Sequence, residues 1–234
     1  MSTVTGGQGN IVTSGLVLNL DAANPRSYPP PYNGTVWTDL SRSGNNGTLT
    51  NFGSQTIFNS ANGGNIVLDG TNDYIKPPAS TNLQLTNFTL SSWVRINVQN
   101  IQQFIIDTST SLSNGSGYSY RINSDNKIRF WAYDANDNLN SNTIILPNIW
   151  YNILVTYNNT TKLQSIYING VFDISNTHTN TFVVSNLTNL QIGGSSILGG
   201  YLNGRIAQTL IYNRALSSSE VLQNFNATRA RFGI

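Results

Sequence analysis

An all-β fold of two packed antiparallel sheets is what this sequence predicts, and three observations carry the prediction. Strand-like runs recur at intervals of roughly eight to twelve residues with turn formers between them, the spacing of a sandwich. The tract Trp150–Ile174, WYNILVTYNNTTKLQSIYINGVFDI, reads as three strands and two turns. Only 9% of the 234 residues are charged, against roughly 25% in ordinary soluble domains. Asn, Ser, Thr and Gly take over the surface, and Asn and Gly tolerate the left-handed backbone that turns demand.

The central tract fixes the pattern. Trp150 to Tyr157 alternates large apolar with smaller or polar residues, and Asn158-Asn159-Thr160-Thr161 breaks the run. Lys162 to Ile168 alternates again. Asn169-Gly170 then supplies the two positive-φ positions of a type I′ turn, leading into Val171-Phe172. Apolar groups on both faces suit a strand inside a layered sheet.

Along the chain, residues 1–14 read as an extended polar arm and residues 15–234 as one sandwich domain. Leu16–Asp21 is the first strand, followed by a loop with Pro25, Pro29, Pro30 and Pro31. Further strands are predicted at Thr48–Thr50, Thr56–Phe58, Asn65–Asp69, Tyr74–Lys76, Phe88–Val98, Phe104–Asp107, Tyr118–Ile122, Lys127–Tyr133 and Thr143–Leu146. After the central tract come Thr181–Val184, Leu190–Ile192 and Gly204–Tyr212. One short C-terminal helix is signalled by Ser217 with Glu220 three residues on, a capping-box spacing. Val221, Leu222 and Phe225 would form its apolar face.

Composition excludes several roles. Twelve Lys and Arg are scattered and the net charge is +2, so no basic stripe exists for nucleic acid. There is no cysteine, hence no disulfide framework or thiolate metal site. The N-terminus is polar and lacks the basic start of a signal peptide. No long apolar run reads as a membrane span, so the chain is expected to begin in a cytoplasm.

Several segments together resemble the laminin G-like, concanavalin A-like lectin/glucanase superfamily: Leu16–Asp21, Trp37-Thr-Asp-Leu-Ser41 with Gly44–Thr48, Leu68–Tyr74, Phe88–Val94, Trp150–Gly170, and Gly204-Arg-Ile with Ile211–Ser217 and the closing helix. The resemblance implies a jelly-roll sandwich with a curved sheet, whose rim loops bind glycans or proteins, in some members through calcium. Single modules of this kind without a signal peptide are similar to structural proteins of bacteriophage particles. The expected function is therefore a non-catalytic virion protein, a capsid decoration or tail fibre subunit at the virion surface. Its partners would be other virion proteins or further copies through the arm, with host surface glycans as a second contact. The alternative is a stand-alone extracellular carbohydrate-binding lectin.

Catalysis is not expected. Glycoside hydrolysis usually needs two carboxylates flanking the scissile bond, and the single glutamate, Glu220, sits at the helix cap. The one histidine, His178, reads as a solvated loop residue; Asp173 is near in sequence, but nothing marks a nucleophile elbow beside it.

Calcium would want six to eight oxygens. Asp69, Asn72 and Asp73 are the metal candidates, with Asp21 or Asp39 joining from neighbouring loops. The acidic residue that often follows the family's Gly-x-Ile step is absent, Ala207 and Gln208 standing there. Asp134–Asn138 has Leu139 and Ile145 where an EF-hand needs Gly and Glu, so it reads as a hairpin turn.

For a sugar, the expected ligand set is Trp37, Tyr32, Asn72, Tyr118 and Tyr201. Tyr28 and Tyr133 are further loop aromatics, while Trp93, Trp131 and Trp150 are assigned to core packing.

Overall fold

A computed structural model of the chain describes residues 9–109, 117–132, 138–178 and 189–234. The elements in chain order are β1 (Leu16–Asp21), β2 (Val36–Trp37), β3 (Gly47–Thr50), β4 (Phe58–Asn59), β5 (Asn65–Asp69), β6 (Tyr74–Lys76), β7 (Phe88–Ile96) and β8 (Gln103–Asp107). Next come β9 (Tyr118–Ile122), β10 (Lys127–Ala132), β11 (Leu139–Ile144), β12 (Tyr151–Asn158), β13 (Leu163–Ile168), β14 (Val171–Thr177), β15 (Gln191–Ile192), β16 (Asn203–Tyr212) and the helix α1 (Ser218–Thr228).

These strands form two antiparallel sheets. The first runs β14-β13-β12-β7-β16-β5-β4, with β1 also paired to β16; the second runs β11-β10-β9-β8-β15-β6-β3-β2. The fold is thus the predicted all-β sandwich with one C-terminal helix. Strand β16 is long because it serves three neighbours: β7 along one edge, and β5 then β1 along the other. Gly204 lets β16 approach β7, since a side chain there would meet the Arg95 carbonyl at 2.3 Å.

The predicted I′ hairpin is present, Asn169 and Gly170 taking φ 52° and 74° between β13 and β14. The helix opens with the predicted capping box. Its buried face differs from the expectation: Val221, Asn224, Phe225 and Thr228 are buried, while Leu222 is 47% exposed. The polar pair is buried because both members are hydrogen-bonded. Asn224 accepts from the Val12 amide and donates to the Tyr212 hydroxyl, and Thr228 accepts from the Trp93 indole.

Strand β11 spans Leu139–Ile144 rather than 143–146. Leu139 is buried in the core while Leu146 is exposed, so the core decides which part of this stretch pairs. The expected strand at 181–184, Tyr133, most of the 134–138 turn and residues 1–8 lie outside the described residues.

The inter-sheet core is aromatic at its centre. Phe88 packs on Tyr118 and Tyr157 at 4.7 and 5.5 Å between ring centroids. The outer face of the first sheet is covered by the chain's own C-terminus: Trp93 stacks on Phe232 at 3.9 Å and on Phe225 at 5.8 Å.

Residues 9–14 of the arm lie on the same side. Val12 is buried, its carbonyl accepts from Tyr212, and the Asn10 and Ser14 carbonyls accept from Gln223 and Arg214. This part of the arm is hydrogen-bonded to its own domain. At one flank, Asp173 on β14 accepts the Asn142 and Thr143 amides of β11 at 2.6 and 3.1 Å, joining the two sheets. No helix among the described residues is long and apolar enough to cross a membrane.

Candidate functional site

The proline-rich loop after β1 and the segment leading into β4 enclose a cleft of about 300 Å³, lined by Pro31, Tyr32, Asn33, Gln55, Thr56, Ile57 and Phe58. That volume is at the small end of ligand pockets. Tyr32 is its principal aromatic. Its ring lies parallel to Phe58, 4.1 Å away with a 7° interplanar angle, and Tyr28 lies beside the pair, 5.9 Å from Phe58 and 6.3 Å from Tyr32. Tyr32 has φ 61°, a left-handed conformation costing a bulky residue roughly 1–2 kcal/mol. Stacking on Phe58 offsets that cost and holds the ring half-exposed at the mouth. Exposed Asn33 and half-buried Gln55 add amides. An aromatic face beside hydrogen-bonding amides can take a sugar ring, whose faces are apolar and whose edges are polar.

Gln55 ties the cleft to the turn after β5. Its amide donates to Oδ2 of Asp73, which also accepts the Asp69 amide at 3.0 Å. Burial raises the pKa of Asp73, opposed by these two donors. Asn72 is exposed on the same turn, and its carbonyl accepts from Asn51. Half-buried Tyr201 bridges to Gly194, and its ring packs over that glycine where the Asp73 carbonyl also approaches. Three members of the expected ligand set, Tyr32, Asn72 and Tyr201, thus belong to connected loops.

The other two do not. Trp37 is 0% and Tyr118 1% exposed, so neither can act as a stacking platform. Trp37 turns into the inter-sheet core from β2, and Tyr118 packs on Phe88 with its hydroxyl on the Leu83 carbonyl. Phe58 and Gln55 are the site residues that sequence reading missed. The nearest signal was the position of Phe58 at the end of a short strand beside the proline-rich loop.

The calcium expectation does not fit these donors. Asp73 is fully buried, and Oδ1 of Asp69 accepts the Thr71 amide at 2.7 Å. Asp39 accepts the Asn19, Ser41 and Asn45 amides and the Ser41 hydroxyl. Asp21 is paired with Arg231 at 2.9 Å. The carboxylates cap turns and strands, and no group of three metal-ligating side chains occurs among the described residues.

His178 is buried, 1% exposed, rather than solvated, with its ring 6.0 Å from that of Tyr157. Asp173 is engaged at the β11–β14 flank instead. Glu220 is held by Arg214 at 2.6 Å, and this contact with the Ser217 cap lowers its pKa to about 2.

Fold and cleft together define a lectin-like sandwich module. A family model described as laminin G type 3, Concanavalin A-like lectin/glucanases superfamily, matches residues 69–222. The match spans more than half of the chain, which therefore belongs to that family. No curated relative matches it significantly.

Among solved structures, Trypanosoma rangeli sialidase in complex with sialic acid superposes with a TM-score of 0.69 at 17% identity, covering 99% of this chain and 36% of that one. The binding domain of Paraclostridial Mosquitocidal Protein 1 gives 0.64 at 20%, covering 91% and 52%. The Ruminococcus gnavus IT-sialidase CBM40 bound to α2,3 sialyllactose gives 0.57 at 15%, covering 68% and 94%. At these identities the likeness is one of fold, and this chain corresponds to only part of the sialidase and of the toxin domain.

Proposed function

We propose that the chain is a non-catalytic carbohydrate-binding module that takes a saccharide at the Tyr32 cleft. The observation that carries this reading is the Tyr32–Phe58 stack at the mouth of a cleft bordered by Asn33 and Gln55. A lectin-family fold supports it, as does the carbohydrate-binding module among its structural neighbours. The non-catalytic part is supported by Glu220, the single glutamate, being committed to Arg214 and the helix cap.

The test is a glycan array followed by titration of a neutral hit. Tyr32→Ala should weaken that hit about tenfold or more, the scale of losing one aromatic face. An array on which no saccharide binds sinks the reading.

A second reading, a decoration or fibre subunit on a virion surface, draws on exposed Val171 and Phe172, at 67% and 55%, as a surface for a protein neighbour. Mass spectrometry of purified particles decides it: ordered stoichiometric copies support it, and absence from particles removes it.

A further inference from the structure

Arg121 on β9 and Arg129 on β10 stand directly opposite each other. Ile122, Ile128 and Phe130 fill the inter-sheet core, so by strand alternation both arginines project from the outer face of the second sheet. Like charges in such register repel.

No carboxylate among the described residues forms an ion pair with either arginine. Among the described residues the ion pairs are Arg214–Glu220 and Arg231–Asp21, and neither involves this pair. Asp107 is near enough to act on Arg121, but it is fully buried and hydrogen-bonded to Ser109 at 2.8 Å. Burial, with Arg129 second, brings the Arg121 pKa down to about 10.

Geometry holds Arg121 in place all the same. Its Cζ lies 4.7 Å from the Trp131 ring centroid and 5.1 Å from that of Phe104, the two rings meeting edge to face at 84°. Its Nε is buried without a hydrogen-bond partner. Arg129 donates from Nε to the Asn140 side chain at 3.1 Å. Both arginines keep part of their surface open to solvent.

A second cross-strand arginine pair, Arg95 and Arg205, lies on the first sheet; there Arg95 donates to both Asn97 and Asn148, and the Arg205 Nε is buried without a partner as that of Arg121 is. On the second sheet one amide, Asn140, is bonded by Arg129 alone, and neither arginine is in an ion pair among the described residues.

We propose that Arg121 and Arg129 bind the carboxylate of an acidic saccharide, at a site separate from the Tyr32 cleft. Guanidinium forks match a carboxylate in plane and spacing. Two cations suit one carboxylate and are too few for a polyanion such as nucleic acid. The exposed amide of Asn140 beside them suits sugar hydroxyls better than it suits a run of acidic side chains.

The experiment is calorimetric titration of the intact chain with α2,3 sialyllactose, with a glucuronic acid disaccharide, and with neutral lactose. The proposal expects at least one acidic probe to bind about tenfold or more tighter than lactose, the size of one charge-assisted hydrogen bond. Arg129→Gln should erase that preference, Arg121→Lys should reduce it, and Tyr32→Ala should leave it intact.

Equal affinity for acidic and neutral probes overturns the site, as does a preference that survives Arg129→Gln. Equal competition by a poly-aspartate peptide overturns the saccharide class. A neutral sugar that binds and is lost only with Tyr32→Ala preserves the cleft reading by itself, so the two ideas fail separately.

Discussion

On the outer side of the first sheet, Trp93 lies nearly flat on Phe232, 16° from parallel, with its indole N–H on Thr228. On the outer side of the second, Trp131 lies against the guanidinium of Arg121. Both indoles are almost fully buried, at 1% and 4% exposure, and neither belongs to the inter-sheet core. The difference is the covering group. One ring is closed over by the chain's own helix and C-terminus, and its contacts are complete. The other is covered by a cation that forms no ion pair among the described residues. Burial of a tryptophan therefore does not separate scaffold from site; the chemistry of what lies on it does.

Trp93→Ala should produce the largest effect. Removing a ring buried between a sheet and its covering segment costs about 3–5 kcal/mol, readable as a lower urea midpoint. A loss below about 1 kcal/mol would mean the C-terminal cover contributes little, and the contrast between the faces would collapse.

The helix supplies a smaller, pH-dependent test. The pKa of Glu220 is depressed from 4.5 to about 2 in the folded chain. Its contribution to stability is therefore complete above the unfolded value and is lost as pH falls from about 4.5 through about 2. Glu220→Gln should cost about 1 kcal/mol at neutral pH, modest because the pair is partly exposed, and should flatten that acid slope. An unchanged slope would place the acid sensitivity elsewhere.

Smallest of all is Arg129→Gln, whose unfolding free energy should stay within about 0.5 kcal/mol of the parent, because it removes a like-charge pair along with one hydrogen bond. A clear loss would mark Arg129 as a structural prop rather than a binding group.

Local features were legible in the sequence. The Asn169-Gly170 turn and the Ser217/Glu220 cap need only residues within a few positions of each other. The alternation in Phe88–Ile96 likewise fixed a strand. Trp37, Tyr118 and Leu222 were misread because each depends on what packs over it, which a local pattern does not encode. Trp131 does alternate with Lys127 and Arg129, and that shared face was the available clue to its outward position. The cleft was half visible: Tyr32 was identified, but its stacking partner Phe58 and its link to Asp73 through Gln55 are long-range pairings.

The Asp173 contact has a consequence for self-association. A sandwich ordinarily ends each sheet in a strand with unpaired backbone groups, a template on which another chain can polymerise. Here a single carboxylate on the outermost strand of one sheet takes up two amides on the outermost strand of the other. The opposite ends of the sheets stop in β2 and β4, each only two residues long. Strand addition is blunted at these four edges, so copies of this chain packed close together lack them as templates for fibrils.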